Sequence, residues 1–451
     1  MLAQNTEKTV LNTILSSYNA KEYAAFYNLL SSDFKAQMSE NDLNGFLSQN
    51  IYANFGALKT IDFKNEKDGR KIYTANFDKG ILDLMLVFTP DFKINGLSFT
   101  PPKPEAVIKT SYLSNNKMLT KLDTIVENIV KPHIQNSLNA GLSIGIIQNG
   151  ETNFYHYGET KKESGNLPNN TTIYEIGSIT KTFTGFLLAQ AIKDKKVSLD
   201  DDIRKFMATK YANLEFEGNP ILIKHLVNHT STLPRLPENL DQQPNFDPEN
   251  PYANYSKEMI SMYLQDFKMN AQPGIKQEYS NFGMALLGII LENIYKTSYQ
   301  SLVKNYISMP FKMKNTFENV PTANLNINFA SGYNSDGLKT KSWNLRSFVA
   351  AGGIKSTIED MTKYLQENIA ETNPKIALSH EITFTNEKQS NGYAWVIYKT
   401  KDNNNLIWHN GGTGGFTSFC GFIKEKNIGI VVLNNSTNSV DNLAISILKK
   451  L

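Results

Sequence analysis

Residues 176–189 read Ile176-Gly177-Ser178-Ile179-Thr180-Lys181-Thr182-Phe183-Thr184-Gly185-Phe186-Leu187-Leu188-Ala189. The stretch is an apolar helix with a serine at its start. Positions i and i+3 share a helix face, so Lys181 can set its amine beside the Ser178 hydroxyl. A serine hydroxyl is a weak nucleophile until a neighbouring base takes its proton. A lysine desolvated against Phe183 and Phe186 can be that base, because burial lowers the pKa of an amine. The free N–H groups and the positive dipole end of the helix would favour an oxyanion at the same place. Taken alone, the spacing equally fits a serine N-cap followed by a solvated lysine, so the pair needs company.

Two further motifs supply it. Tyr279-Ser280-Asn281 follows Gln272-Pro273-Gly274 and precedes an apolar helix carrying Met284, Leu286, Leu287, Ile290 and Leu291. His409-Asn410-Gly411-Gly412-Thr413-Gly414-Gly415-Phe416 then falls between two predicted strands. Ser-x-x-Lys, Tyr-x-Asn about 100 residues later and a [Lys/His]-x-Gly strand near the C-terminus, in that order, resemble the penicillin-recognising serine enzymes. The Tyr-x-Asn and His-x-Gly forms resemble the class C β-lactamase branch, with its D-aminopeptidase, D-Ala carboxypeptidase and esterase relatives. The resemblance spans residues 118–451 and includes His225-Leu226-Val227-Asn228-His229-Thr230-Ser231, Met309-Pro310-Phe311-Lys312-Met313 and Ala351-Gly352-Gly353.

This resemblance implies a serine hydrolase that forms an acyl-enzyme on Ser178, with a β-lactam, a D-amino-acid peptide or an ester as substrate. It implies that Lys181 and Tyr279 share the proton transfer, that Asn281 orients Lys181 and binds a substrate amide, and that the N–H groups of Ser178 and Gly412 form the oxyanion hole. His409 stands where many relatives carry lysine, and Gly411 and Gly412 leave the strand edge bare for a substrate to pair with. No cofactor or metal is implied. A histidine holds a carboxylate only when protonated, near its reference pKa of about 6.5, so a carboxylate preference that fades above neutral pH is expected. A protein of another class, which binds penicillins or cell-wall fragments without turnover, would carry the same motifs.

Around this unit the chain is ordinary for a soluble protein. Its 451 residues are 40% hydrophobic and 20% charged, with a formal net charge of +3. Lysines are spread without a basic block, which argues against nucleic acid and leaves a small molecule or short peptide as partner. Cys420 is the single cysteine, so no intrachain disulfide forms. No apolar run reaches the roughly 20 residues of a membrane span. Leu2-Ala3-Gln4 has the look of the stub of a removed signal peptide, which points to a periplasmic or secreted protein, with a cytoplasmic one still possible.

The fold expected is α+β in two domains. Residues 1–100 carry helical spacing to Phe46, then strands at 71–77, 81–88 and 92–99. This pattern resembles a small NTF2-like cone domain ahead of bacterial hydrolases. Thr100-Pro101-Pro102-Lys103-Pro104 opens a linker, 101–117. Residues 118–451 have early strands around the Asn149-Gly150 turn, helices in the middle and strands from 393 onward. One antiparallel sheet built from both chain ends, flanked by helices and joined to a helical subdomain, is the expected result. His225 and His229, four apart, read as a structural pair rather than zinc ligands, since no glutamate follows the first and no third ligand is near. Cys420 reads as a buried strand residue, and 233–255 as a long surface loop beside the cleft.

Overall fold

The structure, a computed structural model, describes residues 6–102, 104–207, 209, 211–319 and 328–451. The Leu2-Ala3-Gln4 segment lies outside the described residues. The chain divides into two compact units, with the boundary between Glu105 and Ala106.

In the first unit, helix α1 (Glu7–Ala20) is capped by Thr6, whose side chain accepts the Thr9 N–H, and it buries Val10, Ile14 and Tyr18 on one face. Strands β1 (Leu58–Lys67), β2 (Arg70–Phe77), β3 (Gly80–Phe88) and β4 (Ile94–Thr100) form an antiparallel meander in chain order. Tyr73, Leu84 and Leu86 join the face of α1 in a core of their own. Sequence patterning identified β2 to β4 but not β1. Only Leu58 of β1 is buried, and the strand is rich in lysine. A charged edge strand carries little apolar periodicity because its task is to stay in water and refuse further pairing.

The second unit is a three-layer sandwich. Helix α2 (Lys121–Gln135) precedes the hairpin of β5 (Gly141–Gln148) and β6 (Glu151–Gly158). Asn149 and Gly150 both take positive φ, 54° and 82°, the geometry that suits the twist of a two-residue hairpin. Further on come α3 (Thr180–Lys193), α4 (Asn281–Tyr295) and α5 (Ile358–Ala370). Strands β7 (Val396–Lys399), β8 (Asn405–Gly412), β9 (Thr417–Ile423) and β10 (Ile428–Asn434) follow, and helix α6 (Asp441–Leu448) comes last. The sheet runs Phe384–Thr385, Ser390–Asn391, β7, β8, β9, β10, β5, β6, antiparallel throughout. The N-terminal hairpin thus joins the C-terminal strand β10, as the pattern of early and late strands required.

The period of two sorts the sheet's side chains between two cores. Leu142, Ile144, Phe419, Ile430 and Val432 meet Val126, Val130 and Ile134 of α2 and Leu443 and Ile447 of α6. Cys420, Phe422, Val431 and Leu433 point the other way, into the large core shared with α3, α4 and α5. Part of the proline-rich stretch is laid along this unit: Lys109 N–H donates to Gln135 O, Gly158 N–H to Leu113 O and Asn115 N–H to His156 O. The last two of these bonds cover part of an edge that β6 (Glu151–Gly158) would otherwise leave open.

All six histidines have pKa values pushed below the ordinary value, in each case chiefly by burial. The unfolded chain takes up protons that the folded histidines refuse, so stability is full above about pH 6.5 and is lost as pH falls below it. Each fully buried histidine withholds up to about 2 kcal/mol between pH 7 and pH 5. We expect the melting temperature to fall steadily over that interval, in which most carboxylates stay ionised. A calorimetric Tm that is flat from about pH 7 to about pH 5 contradicts this account.

Candidate active site

Ser178 sits in a single 3-10 turn, Gly177–Ile179, that runs directly into α3. The short strands Ile173–Glu175 and Lys355–Thr357 pair ahead of it, and Thr180 Oγ1 accepts the Ile354 N–H at 3.2 Å. The turn is therefore held at both ends. Helix α3 is buried around nearly its whole circumference from Thr180 to Ala191, Lys181 included. The Lys181 Nζ lies 2.9 Å from Ser178 Oγ, 2.8 Å from Asn281 Oδ1 and 2.6 Å from Ala351 O. Burial holds its pKa well below the usual lysine value, helped by the positive charge of Arg235.

The second motif flanks an N-cap. Ser280 Oγ accepts the Gly283 N–H at 2.8 Å and donates to Pro234 O at 2.7 Å. This fixes Tyr279 just before α4 and Asn281 at its first position. The Ser280 N–H donates to His229 Nδ1 at 3.2 Å, and the His229 ring lies 4.5 Å from the Tyr279 ring between centroids. Lys181 Nζ stands 4.8 Å and the Arg235 guanidinium carbon 5.1 Å from the same ring centre. Burial raises the Tyr279 pKa to about 12, against smaller lowering effects of Ser178 and Arg235.

The third motif is the end of β8. Strand β7 pairs with Asn405–Trp408 only, so His409–Gly412 are paired on the β9 side alone. The Thr413 N–H closes onto Phe416 O. Because hydrogen-bonded and non-hydrogen-bonded pairs alternate in an antiparallel ladder, the Gly412 N–H turns away from β9. It faces the nucleophile turn: a Cβ built on Gly177, whose φ is +49°, would stand 2.6 Å from Gly412 N. A Cβ on Gly411 would stand 2.1 Å from Ile176 O, and Ser418 Oγ donates to that carbonyl at 2.8 Å. Glycines at 177 and 411 let the strand and the turn touch.

The three motifs thus converge on Ser178. The sequence profile of the β-lactamase family matches residues 126–448. The chain belongs to the β-lactamase family. It is a β-lactamase-related serine hydrolase. Its first unit matches a family described as a protein of unknown function (DUF3887) over residues 12–97. A β-lactamase of Pseudomonas fluorescens is 25% identical over 354 residues, covering 70% of this chain and 94% of that one. The D-alanyl-D-alanine-carboxypeptidase/endopeptidase AmpH of Escherichia coli K12 is 26% identical, covering 65% of this chain and 78% of that one. The octameric penicillin-binding protein homologue from Pyrococcus abyssi superposes with a TM-score of 0.64 at 27% identity, covering 73% of this chain and 76% of that one.

Within this β-lactamase-family site the surroundings of His409 bear on the role expected of it. His409 is buried, and desolvation together with Lys181 lowers its pKa to about 4. Its Nδ1 lies 2.5 Å from Asn410 O. A carbonyl only accepts, so the Nδ1 proton is committed there and Nε2 is left as an acceptor. Burial thus favours the neutral form of His409 at neutral pH, which works against the carboxylate contact expected of it. His225 and His229 each accept a backbone amide on Nδ1, from Leu222 and Ser280, and His225 serves only its own helix start. His229 does more than pair structurally, since it packs on Tyr279.

Sequence reading missed Arg235 and Tyr252, both in the 233–255 segment. Tyr252 is buried against Trp343 and Phe348, and its phenol interacts with Asn281. The segment expected as a surface loop beside the cleft brings these two side chains to Asn281 and Tyr279. The isolated Arg235 between Pro234 and Leu236 was the only local hint.

The Gly411 contact gives a test. We expect Gly411→Ala to lose about 1–3 kcal/mol of stability through overpacking, read as a lower urea midpoint. Serine-directed labelling should fall with it as the strand is pushed off the turn, whereas an unchanged midpoint and labelling would show that the close approach has no consequence.

Proposed function

We propose that this protein hydrolyses amide or ester bonds through an acyl-enzyme on Ser178, with β-lactams, D-amino-acid peptides and esters as the candidate substrates. The carrying observation is the environment of Lys181. Asn281 Oδ1 and Ala351 O can only accept hydrogen bonds. A neutral amine has two protons and one lone pair, so with both protons given to these oxygens the lone pair is left for the Ser178 O–H. Burial of the amine supports the neutral form.

In this reading Lys181 takes the Ser178 proton as Oγ attacks the acyl carbon. The carbonyl oxygen gains the negative charge and is met by the N–H groups of Ser178 and Gly412. Tyr279, whose raised pKa keeps the phenol protonated, donates to the departing nitrogen or oxygen and is reprotonated from Lys181. Water then repeats the sequence on the ester, its proton going to Lys181 and Ser178 recovering its own. Asn281 holds Lys181 and offers its amide to the substrate, and His409 offers an Nε2 acceptor beside Gly411 and Gly412. The names of the relatives, which include a β-lactamase and a D-alanyl-D-alanine carboxypeptidase, support the β-lactam and D-amino-acid peptide candidates.

A periplasmic or secreted location fits such substrates. Among the described residues, no helix is long and apolar enough to cross a membrane. The helix-and-meander build of residues 1–100 supports an NTF2-like accessory role, joined through 101–117 to the hydrolase domain at 118–451.

A fluorophosphonate or fluorescent penicillin should label the protein and fail to label Ser178→Ala. Lys181→Ala should lower kcat on nitrocefin or p-nitrophenyl acetate by about 10²–10⁴-fold. Equal labelling of wild type and Ser178→Ala would refute the proposal. An acylation burst with no later turnover would make the protein a penicillin binder instead.

A further inference from the structure

Four basic side chains surround the Tyr279 ring, and three of them are already committed. Lys181 is buried and engaged by Ser178, Asn281 and Ala351. His229 is buried with its Nδ1 on the Ser280 amide. His409 is buried with its Nδ1 on Asn410 O. Arg235 differs from them in every respect. It is exposed, its guanidinium lies 5.1 Å from the Tyr279 ring centre, and among the described residues it has no carboxylate partner.

The backbone of Arg235 is fixed even though its head group is free. Its carbonyl accepts the N–H groups of Asn281 at 3.1 Å and Phe282 at 3.2 Å, so the residue is pinned to the start of α4 beside the second motif. The groups whose charge acts on Tyr279, His229 and Lys181 include this arginine and no carboxylate. The rim of the site is therefore positive and uncompensated, with five N–H donors in a planar fork matched to a carboxylate.

We infer that Arg235 is the specificity-determining residue of this site, an exposed clamp for a carboxylate carried by the substrate. The inference rests on the acyl-enzyme reading and deepens it: favoured substrates are anions, held by the exposed Arg235 rather than by the buried His409. A guanidinium keeps its charge across the working pH range, so the preference does not titrate.

The test compares p-nitrophenyl hemiglutarate, which bears a carboxylate, with p-nitrophenyl valerate, which does not, on wild type, Arg235→Gln, Arg235→Lys and Ser178→Ala. The ratio of the two kcat/KM values should fall by about 10- to 100-fold in Arg235→Gln, as a rise in KM for the anionic ester. Arg235→Lys should recover part of it, since the charge returns without the fork. In the wild type the ratio should stay constant from about pH 5.5 to about pH 8.5. Lys181, Tyr252 and Tyr279, on which this arginine acts electrostatically, meet both esters, so a change in them moves both kcat/KM values; His229 and His409, the titratable groups that would hold a carboxylate instead, are read out by the pH dependence of the ratio.

A ratio retained in Arg235→Gln overturns the inference while leaving the acyl-enzyme reading intact, and reduces Arg235 to a packing partner of Tyr279. A ratio that decays as pH rises through about 6.5 assigns the carboxylate to a histidine and also overturns it. If wild type and Ser178→Ala turn over both esters equally, the acyl-enzyme reading falls and this inference with it.

Discussion

Among the described residues the buried amine of Lys181 has no counter-ion, and the rest of the site is arranged around that fact. An ammonium taken out of water needs a carboxylate or loses its proton. The oxygens around this amine belong to a hydroxyl, a carboxamide and a peptide carbonyl, all neutral. They come from the turn before α3, the start of α4 and the end of the short helix Val349–Gly352. Three separate parts of the chain must reach their places before the lysine becomes a base. The tight contacts at Gly177 and Gly411 serve the same end by closing β8 onto the turn.

The electrostatics follow from that choice. With no carboxylate beside Lys181, the site has a surplus of basic groups, and burial silences most of them. Burial pushes the pKa values of His229 and His409 down, which favours their neutral forms, and pushes that of Tyr279 up, which favours the protonated phenol. The surviving permanent charge is Arg235 at the solvent-facing rim. A permanent cation at the rim and a neutral base within are complementary arrangements: one can attract and orient an anion while the other accepts a proton.

Much of this was legible in the sequence, for identifiable reasons. The Asn149-Gly150 hairpin was plain because only a few residue types tolerate positive φ at two successive positions. Strands β8 to β10 were plain because buried strands alternate apolar residues. Strand β1 was invisible because an edge strand has little to bury. Ser178, Lys181, Tyr279 and Asn281 were found because three short motifs in a fixed order resemble those of the penicillin-recognising serine enzymes, the helix-start spacing of Ser178 and Lys181 being too common to decide alone. Arg235 and Tyr252 were not found, since the path of 233–255 depends on contacts with Trp343, Phe348 and the start of α4 that lie far away in sequence.

What the sequence determined by itself was the list of reactive groups, their order and the secondary structure that carries each. Local spacing decides these things: i to i+3 on a helix face, alternation along a strand, glycine where a side chain would collide. Protonation was decided only in three dimensions. His409 reads from the sequence as a titratable substitute for lysine, and the fold buries it, which lowers its pKa. A pKa depends on how much water and which charges surround a group, and those are set by every element packed against it.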